Sequence, residues 1–174
     1  MPLDPVFGLN IVGSFLAFGL VTRFYFWPWL RTLPKYEALA ILVLPHTFRF
    51  MGLSFVETGV VSPSLPSAFA IPAAYGDAGA AILAIIAVLA LRAGASLAVP
   101  LVWLFNLWGT ADLVFAFYNA FANGLEPGAL GAAYYIPTLV VPALFVLHAL
   151  VFRVLLAGSS FKRAVSISAM TDAG

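Results

Sequence analysis

Five stretches of the chain, at about 6–26, 38–61, 72–91, 97–121 and 131–157, are almost unbroken runs of apolar residues. Each is close to the ~20 residues that a helix needs to cross ~30 Å of hydrocarbon. Nothing else in the sequence restricts the fold as strongly. At membrane depth no water completes a backbone hydrogen bond, so the spans must satisfy their own N–H and C=O groups as helices, and the period-two alternation of a barrel strand is absent. Composition agrees: 63% of residues are hydrophobic and 9% charged, against roughly 25% charged in soluble domains. The expectation is an all-α integral membrane protein, a bundle of five transmembrane helices forming one domain over residues 1–157. A small, polar cytoplasmic tail, 158–174, is expected to be disordered.

The charges that remain set an orientation. The run Phe24-Tyr25-Phe26-Trp27-Pro28-Trp29, followed by Arg31, Pro34 and Lys35, reads as an aromatic belt and a short turn. Arg92 closes the third stretch, and Arg153, Lys162 and Arg163 close the fifth, while Asp4, Glu57, Asp77 and Glu126 mark the opposite ends. The positive-inside rule then puts the N-terminus outside and the C-terminus in the cytoplasm, for a multi-pass protein of the cell inner membrane with the lipid bilayer as its first partner. Met1 to Pro5 lacks the basic region of a cleavable signal, so the first stretch is expected to be retained. A net charge of +1 argues against nucleic acid as a partner, and the absence of cysteine removes disulfides and thiol chemistry.

Within the spans, Arg49 and Asp112 stand out as the basic and the acidic residue placed deep in apolar surroundings. Ionised groups at such depth are costly unless paired or hydrated, which makes them a functional hypothesis by default. On a helix of 3.6 residues per turn, His46, Arg49, Leu53 and Glu57 form one stripe, so three ionisable groups are expected to face the bundle interior. Trp108, Asp112, Phe115 and Asn119 make a similar line on the fourth helix, and His148 adds a second imidazole on the fifth. Counting ~1.5 Å per residue from the cytoplasmic ends puts His46 near ~12 Å and His148 near ~13 Å, with Arg49 at ~16 Å and Asp112 at ~22 Å. The two histidines are thus level, and an Arg49–Asp112 ion pair is predicted. Asp77 is assigned instead to the start of the third helix, as a capping residue, and the small residues that follow it to a packing face. Residues 58–75, with Pro63, Pro66 and Pro72, read as a proline-stiffened loop on the membrane surface, with a lid over a cavity as the sharper alternative.

Three chemistries compete for this constellation. The first is a polar cavity, lined by His46, Arg49, Glu57, Trp108, Asp112, Asn119 and His148, that binds a small polar or anionic ligand or ion for transport or sensing. Five helices without an internal repeat are few for a transporter, so a homodimer is a possible partner arrangement under that reading. The second is b-type haem, with His46 and His148 as axial ligands, which the bulk of Leu42, Pro45, Phe50, Leu144, Phe145 and Phe152 disfavours. The third is an enzyme acting on a lipid or quinone, for which no nucleophile motif or catalytic residue can be assigned. A metal site is not expected, because Arg49 would compete as a like charge. Beside all three stands an accessory subunit whose buried charges only hold helices together. The working expectation is the ligand cavity.

Overall fold

The structure is a computed structural model that describes residues 4–157; the tail at 158–174, with Lys162 and Arg163, lies outside the described residues. Among the described residues, five helices are long and apolar enough to cross a membrane: α1 (Pro5–Leu30), α2 (Lys35–Val56), α3 (Ser67–Arg92), α4 (Ala98–Ala122) and α5 (Ile136–Leu156). Local sequence sets their ends. Asp4 caps α1, its Oδ1 accepting from the N–H groups of Val6 and Phe7 at 2.8 and 3.0 Å, with Pro5 in the first turn where its missing N–H costs nothing. Gly94 (φ +64°) and Gly124 (φ +61°) end α3 and α4 in the left-handed conformation. There the N–H groups of Ala95 and Leu125 reach back to the carbonyls of Ala90 and Ala120 at 3.0 and 2.9 Å, closing the last turns.

Several boundaries depart from those read in the sequence: α1 runs on to Leu30 instead of 26, α2 spans Lys35–Val56 instead of 38–61, and the starts of α3 and of the fifth span move as well. Helix α3 begins at Ser67, five residues before the expected 72, and carries Pro72 inside it. Pro72 is the sixth residue of α3, so its missing N–H leaves the Ala68 carbonyl without its usual i+4 donor, a local loss that the helix runs past rather than ends at. The connection is therefore shorter than the expected 58–75. Its backbone docks on the other connection at the same end of the bundle, Ser62 N–H donating to Ala129 C=O at 2.9 Å and Ala132 N–H to Val60 C=O at 3.0 Å. The fifth stretch does not start as one helix at 131 but divides into a 3₁₀ segment, Pro127–Tyr134, and α5. Gly131 (φ +53°) kinks the 3₁₀ segment internally, and a side chain at that position would collide with the Val60 carbonyl.

Helix α3 lies at the centre with α2 and α4 along it, α5 rests on α2 and α4, and α1 leans on α5. Two apolar layers fill the interior. One, with Leu39, Leu42, Val43, Phe105, Val151 and Val154, occupies the end where α1 terminates at Leu30. The other, with Phe7, Phe55, Phe69, Leu113 and Leu130, occupies the end where α1 begins. Sandwiched between them along α2, α3, α4 and α5 is a thin polar layer: His46, Arg49, Asp77, Asn106, Asp112 and His148. At the Leu30 end, Arg153 lies over the Trp27 ring at 3.9 Å and Lys35 donates to the Leu155 carbonyl at 3.2 Å, tying α1, α2 and α5 together.

Candidate binding site

The second half of α2, Leu44–Val56, winds as a 3₁₀ helix. Such stretches rarely exceed 3–4 residues, and their three-residue turn aligns positions i and i+3. The buried residues of this stretch are accordingly His46, Arg49, Gly52 and Phe55. The 3.6-residue stripe expected from sequence therefore drifts off the interior: Leu53 is largely exposed, and Glu57 lies past the helix end, exposed beside a separate shallow groove.

Arg49, 2% exposed, is the centre of the polar layer. Its Nε donates to Asp77 Oδ1 at 2.7 Å, its Nη2 stands 2.7 Å from the same oxygen and donates to Asp112 Oδ2 at 2.5 Å, and its Nη1 donates to the Gly109 carbonyl at 3.2 Å. The predicted Arg49–Asp112 contact is present. The assignment of Asp77 as a helix cap is corrected: it is the eleventh residue of α3, buried, and a full partner of the arginine. Desolvating a guanidinium is tolerable only because its donors meet acceptors, and removing one side of such a buried pair typically costs about 3–5 kcal/mol.

Glycine makes this approach possible on three helices. A side chain at Gly52 of α2 would meet Asp77 Cβ at 2.6 Å, one at Gly76 of α3 would meet Asp112 Cγ at 2.7 Å, and one at Gly109 of α4 would meet His148 Cε1 at 2.7 Å and Arg49 Nη1 at 2.8 Å. Each charged group thus lies in the notch of a neighbouring helix, where even a methyl group would push it out.

His148 is held through both ring nitrogens. Asn106 Nδ2 donates to the His148 carbonyl at 3.3 Å, so its amide oxygen must be the atom that meets His148 Nδ1 at 2.7 Å. Nδ1 then carries the proton, and the Nε2 lone pair faces Arg49 Nη1 at 3.5 Å. His46 contrasts with it. The ring is fully buried, its two nitrogens have no partner, and it packs against His148 with centroids 4.2 Å apart and against Phe105 at 5.0 Å.

The two imidazoles are level, as their sequence depths imply, but they touch. Axial ligation of a haem needs a macrocycle between them and a lone pair from each, whereas these rings are in contact and both nitrogens of His148 are engaged. The residues present do not fit that group. Among the described residues no three His, Cys, Asp or Glu side chains converge as metal ligands.

A cavity of about 660 Å³ reaches this layer from the end where α1 begins. Its walls are apolar, with Phe7 and Ile11 of α1, Phe69 and Ala73 of α3, and Leu113 and Phe117 of α4. Asp77 and Asp112 form its floor, and Asp4 and Glu126 stand at its mouth. Arg49, His46 and His148 are not part of its surface but lie behind the carboxylates. Trp108 (51% exposed) points away from the interior beside Gly79, and Asn119, part-buried on α4, also stands outside the lining. The face of α4 that borders the cavity runs through Asp112, Leu113, Ala116, Phe117 and Ala120, one position round from the line expected.

Sequence reasoning missed Asp77, Asn106 and the three glycines. For Asp77 a signal existed: Ala70, Ala73, Ala74, Asp77, Ala80, Ala81, Ala84 and Ala87 all lie on the buried side of α3 at helical spacing, and an aspartate within such a stripe is internal.

Residues 6–156 match the model of a family described as a domain of unknown function, DUF8737, and the chain belongs to that family. No curated protein and no solved structure matches it.

Proposed function

We propose that this DUF8737 protein is a multi-pass inner-membrane protein whose cavity binds a small molecule, as the recognition step of transport or sensing. The observation that carries this reading is the cavity itself, an apolar chamber of about 660 Å³ that ends on two carboxylates in contact with a buried guanidinium. Binding sites usually combine mostly apolar walls with a few convergent polar groups. Buried charges beyond what helix packing needs are the usual mark of a site at membrane depth.

The chamber is one-sided. Beyond the polar layer lies the apolar layer of Leu42, Val43, Phe105, Val151 and Val154, which offers no polar path onward. That supports binding from one face over a continuous pore. Arg31, Lys35, Arg92 and Arg153 lie at the Leu30 end and Asp4, Glu57 and Glu126 at the other. By the positive-inside rule the cavity then opens outward and the N-terminus is outside.

The chain contains no cysteine, so single cysteines can report access directly. In cells, Ala120→Cys in the cavity wall is expected to react with a membrane-impermeant maleimide added from outside, and Val151→Cys in the apolar layer is not. Protection of Ala120→Cys together with labelling of Val151→Cys would overturn the reading.

A further inference from the structure

We infer that the occupant of this cavity is a lipophilic monocation, an apolar body carrying one positive charge that sits on Asp77 and Asp112. The inference rests on the cavity reading above and names its ligand class. It follows from charge complementarity inside an apolar chamber. Two carboxylates share one guanidinium; with both ionised the floor is one positive charge short of neutral, and a low-dielectric surround makes that unbalanced charge expensive, so a cation that supplies it is favoured. Arg49 cannot offer itself to an anion, because its donors are engaged by Asp77, Asp112 and the Gly109 carbonyl and it stands behind the acids.

Each carboxylate gives one oxygen to Arg49. Among the described residues, Asp77 Oδ2 and Asp112 Oδ1 accept no hydrogen bond; they rest against Gly52 and Gly76, so the floor offers a cation mainly its negative charge. The other titratable groups bordering the chamber, Asp4 and Glu126, are acidic too, so its field attracts cations along its whole length. The apolar walls select the rest of the molecule: a small hydrated ion gains nothing from Phe7, Phe69 and Phe117, whereas an aromatic or aliphatic cation buries its surface against them.

The test uses the labelling of Ala120→Cys in the full chain, reconstituted in lipid nanodiscs, with three probes of similar shape: tetraphenylphosphonium (cation), tetraphenylborate (anion) and triphenylphosphine oxide (neutral). The phosphonium is expected to protect the cysteine saturably and the borate not at all. Asp112→Asn, which leaves Arg49 paired with Asp77, should weaken phosphonium protection by about tenfold or more, because the floor loses the negative charge that the cation balances, and Asp112→Glu should restore most of it. Retained protection by the neutral probe shows that the Asp112→Asn cavity is still formed. Equal protection by the borate, or a phosphonium affinity unchanged by Asp112→Asn, would overturn the inference while leaving the cavity reading intact. So would a neutral probe that binds more tightly than the cation, since a proton would then already balance the floor. Failure of the cysteine to label without any probe would remove both.

Discussion

Asn106 and His148 hold each other twice: the amide nitrogen donates to the histidine's own carbonyl at 3.3 Å, and the amide oxygen accepts from its Nδ1 at 2.7 Å. One side chain thereby fixes the position, rotamer and tautomer of the imidazole that faces Arg49. Metal sites use the same device, an outer partner orienting a ring, but here the beneficiary is an ion-pair cluster.

The pairing makes a spectroscopic prediction. In ¹⁵N-histidine-labelled protein, His148 is expected to give the signature of a neutral ring protonated at Nδ1. Asn106→Leu should abolish that preference and lower stability by about 1–3 kcal/mol, the cost of leaving a buried polar group without its partner. An unchanged tautomer in the variant would show that Asn106 does not set it.

The two histidines should respond oppositely to the same substitution. His46 is buried with two unpartnered nitrogens between aromatic rings, so His46→Phe removes unsatisfied polar atoms and is expected to be neutral or stabilising in thermal denaturation. His148→Phe strands the Asn106 amide oxygen and should cost about 1–3 kcal/mol. Equal losses at both positions would mean that His46 has a bonded partner.

Gly109 of α4 and Gly79 of α3 face different neighbours. A methyl at Gly109 meets His148 and Arg49 at 2.7 and 2.8 Å, whereas one at Gly79 only reaches the Trp108 ring at 3.5 Å. Gly109→Ala is therefore expected to destabilise by about 1–3 kcal/mol through overpacking, and Gly79→Ala to be tolerated. Guanidinium- or SDS-induced unfolding of the two variants decides it.

Why some of this was legible and some not is clear from particular residues. The five helices follow from uninterrupted apolar length, and the Arg49–Asp112 pairing from the cost of solitary charges in lipid. Glu57 was misplaced because the stripe was projected at 3.6 residues per turn, and nothing in Leu44–Val56 announces a 3₁₀ winding except Pro45 at its start. Asp77 was misplaced because Pro72 was read as loop punctuation, which put the aspartate near a helix end rather than in its interior. Trp108 and Asn119 depend on the rotation of α4 about its axis. A helix apolar on nearly all sides carries little periodic signal to fix that rotation.

The central claim is that one guanidinium is shared by two carboxylates at the cavity floor, and unfolding free energies of Asp77→Asn, Asp112→Asn and the double variant test it most directly. Each single variant still leaves Arg49 a charged partner and should cost under about 1 kcal/mol, while the double variant leaves the guanidinium buried and unpaired and should cost about 3–5 kcal/mol, far more than the sum. Two single losses that simply add to the double would contradict the shared cluster.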